Sequence, residues 1–290
     1  MNELSVRGLL TQENVKAKFQ EILKDRAAGF TANLAVMVSN SEALSKCEPM
    51  SVISAAVISA SLDLPLDPNL GFAAVVPYGN KAQFQIMYKG LNQLAMRTGQ
   101  YKTIGVSEIY EGQLESENPL TGDYVFNFDN KTSSKIIGFA AYFRLLNGFE
   151  KTVYWPVEKI NAHGKKYSKS FNNINGRWKE DFEAMSRKTV LKHLLSKWGI
   201  LSIEMQTAII ADQSVVRGGI DDQETSFEYV DNDKISPEKI EPETHTDPFK
   251  SEKPKSEKIY KTEVEAKKDF ENGLLSKDEY QDICFNIAIK

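Results

Sequence analysis

Apolar residues at Val15, Phe19, Ile22 and Leu23 recur at helical spacing behind Thr11, which can cap a helix running to about Arg26. Phe30, Leu34 and Val38 predict a second helix, and Pro49 sits as the first residue of a third, which Pro65 must end. The period then changes to two. Residues 72–78 and 82–88 flank Gly79-Asn80-Lys81, which predicts a β-hairpin with Ala82, Phe84, Ile86 and Tyr88 on one face and Gln83, Gln85 and Met87 on the other. Gly90 to Thr98 reads as a helix with Leu91, Leu94 and Ala95 inward and Gly99 as its stop. Strands follow at 101–111, 124–128, 136–146 and 149–155, the last two joined by the turn pair Asn147-Gly148. Pro156 starts a short helix, a basic loop runs from Gly164 to Gly176, a long helix covers Arg177 to Trp198, and one more helical stretch ends near Val216. The predicted class is α+β: a helical N-terminus, a central antiparallel sheet with a hairpin and its helix, and a late basic helix.

Past residue 217 the pattern stops. From 218 to 258 Asp, Glu, Ser, Lys and Pro dominate, a composition that cannot bury enough surface to offset chain entropy, so the segment is expected to be a disordered acidic linker. Periodicity returns at Phe270, Leu274, Leu275, Tyr280, Ile283 and Ile287, which predicts a small helical module over 259–290, with Ser276 capping its second helix and Glu279 completing the box. The expected organisation is a core at 1–217, the linker, and this module, too small to be stable alone and suited to docking on another protein.

Charge follows the same boundary. Residues 218–290 hold 11 Lys against 19 Asp and Glu, whereas residues 1–217 hold 25 basic against 21 acidic groups, so the formal net charge of -4 hides a positive core. Residues 68–107 contain no acid at all and carry Lys81, Lys89, Arg97 and Lys102; residues 151–197 hold eleven Lys and Arg against Glu158, Glu180, Asp181 and Glu183. Screening limits the reach of a charge to about 8–10 Å at physiological salt, so these local excesses decide what the surface attracts. No run approaches the roughly 18 apolar residues that span a bilayer, and Met1-Asn2-Glu3-Leu4-Ser5 lacks a signal-peptide pattern. Cys47 and Cys284 stand far apart with no CxxC, which fits free thiols in a reducing, cytoplasmic setting.

Enzyme motifs are missing. Around Gly164-Lys165-Lys166 a phosphate-binding loop would need Gly where Lys159 stands and Ser or Thr where Lys166 stands. His163, His193 and His245 lack metal-ligand spacing, and the one Glu-x-Lys of nuclease type, Glu265-Ala266-Lys267, falls in the tail. No catalytic residue, metal or cofactor is therefore assigned. Residues 83–102, by contrast, supply Lys, Arg, Gln and Tyr without an acid, the side chains that track phosphates and lie beside bases in single-strand binding. On composition alone, Tyr88 in the core with Lys89 and Arg97 merely solvated is the favoured explanation.

The run from Leu66 to Lys102 resembles the RecT family of phage recombinases, which anneal single-stranded DNA. The resemblance rests on Leu66-Asp67-Pro68-Asn69-Leu70-Gly71, Pro77-Tyr78, Gln85-Ile86-Met87-Tyr88-Lys89-Gly90-Leu91 and Leu94-Ala95-Met96-Arg97-Thr98-Gly99. It continues through Gly138-Phe139-Ala140-Ala141-Tyr142 and Asn147-Gly148-Phe149 to Trp178, Phe182, Met185 and Lys188-Thr189. Met87 departs from the pattern, which has Gly before the Tyr. The resemblance implies ATP-independent binding and annealing of single strands through a duplex intermediate, and assembly into a homo-oligomeric ring or helical filament. It also implies work beside a phage exonuclease. The C-terminal module lies beyond the resemblance; its small size alone points to docking, with the host single-strand-binding protein or a second subunit as candidates. The resemblance implies a groove with Lys81, Gln83, Gln85, Tyr88, Lys89, Arg97 and Lys102 from the first region and Arg187, Lys188 and Lys192 from the late helix. Lys165 and Lys166 are candidate phosphate contacts, and Trp178, in a Phe182-Met185-Thr189 stripe that core packing also explains, is a candidate base stack. A metal-dependent phage nuclease and a structural adaptor oligomer are the alternatives.

Overall fold

The computed structural model describes residues 5–67, 69–169, 171–173, 176–217 and 226–229, and residue 267. The chain divides into two units, Met1–Ser236 and Pro237–Lys290, and every element of the described residues belongs to the first. The expected module at 259–290, apart from residue 267, and the expected linker, apart from 226–229, lie outside the described residues.

The N-terminal part is helical: α1 (Val6–Leu9), α2 (Glu13–Leu23), α3 (Ala27–Ser39), α4 (Glu42–Ser45) and α5 (Pro49–Ser61). Gln12, not Thr11, is the N-cap of α2, because the Thr11 hydroxyl donates back to the Gly8 carbonyl of α1. α5 carries no charge and is buried almost all round, with Val52, Ile53 and Ala56 inaccessible. It stops before Pro65, and Asp63 takes a left-handed φ of 51° just beyond it.

The change of period yields the expected hairpin, β1 (Ala73–Tyr78) and β2 (Lys81–Ile86), paired from Ala73↔Ile86 to Tyr78↔Lys81 around Gly79-Asn80. Gly79 has φ +58°, the reason Gly stands there. Ala82, Phe84 and Ile86 are buried, yet Gln83 on the opposite face is buried too, since the hairpin is covered on both sides. α6 (Tyr88–Arg97) begins two residues before Gly90. It crosses the chain at Phe72 so closely that a Cβ on Gly90 would lie 2.1 Å from the Phe72 carbonyl oxygen.

β3 (Tyr101–Tyr110), β6 (Ile136–Leu145) and β7 (Glu150–Pro156) form one antiparallel sheet in the order β3-β6-β7, while β4 (Leu114–Asn118) and β5 (Asp123–Phe126) make a separate ribbon. β4 has no apolar alternation to announce it: all but Leu114 are polar and exposed. The expected α+β class and antiparallel sheet are both present.

α7 (Val157–Tyr167) follows Pro156 and takes the first residues of the expected basic loop, so Lys165 and Lys166 lie in a helix's last turn. The expected single late helix is two, α8 (Arg177–Glu180) and α9 (Phe182–Trp198), broken at Asp181, whose carboxylate accepts from Ala184 N at 2.9 Å as the α9 N-cap. α9 buries Val190, Leu191, Leu194 and Leu195 against the sheet and α6. α10 (Ile203–Ala211) is succeeded by β8 (Val215–Arg217), which pairs with β9 (Ser226–Glu228). Among the described residues no helix is long and apolar enough to cross a membrane.

Candidate nucleic-acid interface

Residues 212–214 run beside β2 and tie the hairpin to α9. Gln213 N donates to the Phe84 carbonyl at 2.9 Å, and Asp212 Oδ1 accepts from Ile86 N at 3.1 Å. The same carboxylate takes both lysines of the late helix: Lys188 Nζ reaches Oδ1 at 3.0 Å and Lys192 Nζ reaches Oδ2 at 2.6 Å. Lys188 is only 4% exposed and Asp212 2%. Burial pushes the Asp212 carboxyl up, but Lys188 and Lys192 outweigh it and hold the group below the usual aspartate range. Burial likewise lowers the Lys188 ammonium against the pull of Asp212. Lys188, expected on a phosphate, is thus a buried ion-pair partner whose spacing in α9 serves the fold.

Other expected cations are also engaged. Arg97 donates from Nη1 to the Leu62 carbonyl and from Nη2 to the Asp63 carbonyl, each at 2.7 Å. Those are the carbonyls left open at the end of α5, so Arg97 acts as a distant C-cap and not as a solvated charge. Arg187 pairs with Glu108 of β3 and, at 3.4 Å, with Glu183. Lys81 faces Glu228 of β9 at 3.4 Å. Lys89 in the first turn of α6, Lys102 on β3 and Lys165 on α7 are exposed and make no ion pair among the described residues. Lys166 is exposed with its ammonium 5.0 Å from the Tyr167 ring centroid. Tyr88 is half-buried against the core.

Two recesses adjoin these groups and share Ser168, Trp178, Met185 and Gln213 in their walls. One, about 370 Å³, lies between α7 and α9 and contains the Lys188-Lys192-Asp212 triad with Tyr229 of the segment after β9. In its wall His163 and His193 pack against Trp155, with ring centroids 5.3 and 4.7 Å away. Burial, then neighbouring lysines, pushes each imidazole down to about 4, so both are neutral at physiological pH. The other recess, about 860 Å³, lies between α3, the hairpin and α8 and includes Gln83 and Gln85. Trp178 is 6% exposed and packs at 5.3 Å on Phe171 and 6.1 Å on Phe182, so its ring is a core element, not an open stacking platform. Its Nε1, like Gln83 Nε2, is buried without a hydrogen-bond partner among the described residues. Among the described residues no group of three His, Cys, Asp or Glu is placed to hold a metal.

The structure therefore brings Gln83, Gln85, Trp178, Lys188 and Lys192 around adjoining recesses and leaves Lys102 apart on the sheet. Asp212 and Glu108 escaped the sequence reading. The one available signal for Asp212 was a lone acid directly after the apolar run Ala208-Ile209-Ile210-Ala211, a position where an ion needs a buried partner.

A family model described as the RecT family matches residues 28–231. Uncharacterized protein YqaK of Bacillus subtilis (strain 168) is 48% identical over 248 residues, 84% of this chain and 86% of that protein. Protein RecT of Escherichia coli (strain K12) is 30% identical over 183 residues, 59% of this chain and 65% of that protein.

Proposed function

The chain belongs to the RecT family, and on that premise we propose that it binds single-stranded DNA and anneals complementary strands without a nucleotide cofactor. Family membership carries the reading; the geometry supports it through recesses beside the hairpin and late helix, one of them lined by the Gln83 and Gln85 amides, and through exposed Lys89 on α6 and Lys165 on α7. A strand tracked by lysines and lined by amides is held without regard to sequence, as annealing requires. Annealing exchanges base stacking and pairing between strands, so the protein needs no hydrolytic step: its work is to hold bases accessible and phosphates neutralised. Adjacent subunits sharing one strand form a homo-oligomer, an exonuclease supplies the single strand, and the C-terminal module at 259–290 docks on a partner protein.

The test mixes two complementary labelled oligonucleotides with and without the full chain, with no nucleotide added. Faster duplex formation with protein, lost as salt rises, is the expected result. Equal rates, or protein and magnesium shortening the labelled strands, would overturn the reading.

A further inference from the structure

We propose that the recess between α3, the hairpin and α8 is a nucleobase site, in which the Gln83 amide and the Trp178 indole donate hydrogen bonds to the acceptor edge of a base. This deepens the reading of the chain as a single-strand DNA binder and rests on it.

Two donors belong to residues of the same wall and have nothing to receive them among the described residues. Gln83 is 1% exposed and Trp178 6%, and neither Gln83 Nε2 nor Trp178 Nε1 has a hydrogen-bond partner among the described residues. An indole N–H can only donate, so it has no second way to be satisfied. Folded interiors leave few such groups, and each one asks for an explanation. A ligand bearing acceptors supplies one for both at once.

The charge of the walls selects among ligands. Arg177 is the sole cation there among the described residues, it pairs with Glu180 at 3.5 Å, and Asp67 adds a further acid. A phosphate gains nothing in such a place. Most of the remaining polar wall is amide, including Asn33, Asn40, Asn69 and Gln85 beside the hydroxyls of Ser41, Tyr78 and Ser168, and amides present the same mixture of donors and acceptors as a base edge. The volume, about 860 Å³, falls within the range of small-molecule sites, roughly 300–1,000 Å³. Every base carries ring-nitrogen or carbonyl acceptors, so a pair of donors accepts any sequence.

Fluorescence anisotropy of the full chain with a labelled oligonucleotide, and with one of equal length carrying abasic sites, measures the effect directly. The unaltered chain should prefer the strand with bases about five- to tenfold, the value of a small number of buried hydrogen bonds. Gln83→Leu keeps the volume and removes an unpaired donor, so its melting temperature should equal or exceed that of the parent while the preference falls towards one. Trp178→Phe, which keeps a ring and removes the N–H, should lose the preference in the same way and decides the matter if Gln83→Leu fails to fold. Retention of the parental preference by either folded variant, or equal binding of both strands by the unaltered chain, would overturn the site while leaving single-strand binding intact. Absence of binding to either strand would overturn both readings.

Discussion

Arg97 Nη1 donates to the Leu62 carbonyl oxygen at 2.7 Å, joining the end of α6 to the end of α5. A charge-assisted bond of this kind contributes about 1.5–3 kcal/mol when shielded, and Arg97 is partly exposed. Arg97→Ala should lower unfolding stability by about 1–2 kcal/mol, read from urea denaturation. The salt dependence of DNA binding should stay parental; a shallower slope with unchanged stability would mean that Arg97 meets phosphate.

Lys89 is the opposite case, exposed and without an ion pair among the described residues. Lys89→Ala should leave stability within about 0.5 kcal/mol. It should weaken binding alike for all base sequences and reduce the salt slope by about 0.7, the single-strand value per phosphate contact. Titrations at several salt concentrations give the slope, and an unchanged one removes Lys89 from the interface.

Asp212 balances two lysines and caps a backbone N–H. Asp212→Ala should cost about 3 kcal/mol or more, because Lys188 is left charged and buried. Adding Lys188→Met should recover part of that loss, a non-additive pair of effects that a double-mutant cycle reads from denaturation curves. Simple addition of the two single losses would show that the lysine and the aspartate do not stabilise each other.

His163 and His193 give the fold an acid limit. Burial lowers both, His163 with help from Lys192 and Lys166, His193 with help from Lys197, Lys159 and His163, each to about 4 from 6.5. The unfolded chain takes protons below about pH 6.5 that the folded chain refuses until about pH 4, so stability falls as pH drops through that window. Melting temperature should decline steadily from pH 6.5 towards 4, and His193→Phe should flatten the decline. A flat profile in the parent would mean that the two rings titrate as in water.

Gly90→Ala places a methyl 2.1 Å from the Phe72 carbonyl oxygen and 2.9 Å from the Ile86 side chain. Backbone cannot give way cheaply, so a loss of about 1–3 kcal/mol is expected, visible as a lower melting temperature. Gly105→Ala, which meets nothing within 4 Å, is the control and should be near neutral.

Periodicity foretold the hairpin, the strands of the sheet and the helices that bury one stripe, because their signal is local. It failed where local pattern carries no information about partners. Residues 68–107 hold no acid to occupy the cations there; yet Arg97 is satisfied by backbone carbonyls, which no composition reveals. Arg187 and Lys188 lie in a basic stretch, but their partners, Glu108 and Asp212, come from β3 and from the end of α10. The break between α8 and α9 falls on Asp181, where capping overrides a continuous apolar stripe. Gln83 alternated as an outward residue and is buried, since a period of two cannot tell solvent from a second covering layer.

The junction at Asp212 also has a mechanical meaning. One carboxylate fixes both the rotational phase of α9 and the edge of β2, so turning either element against the other breaks three bonds together and strands a charge. The wall of the recess between α7 and α9 is therefore braced: a shift of the late helix there is carried straight to the hairpin, and neither side gives way alone.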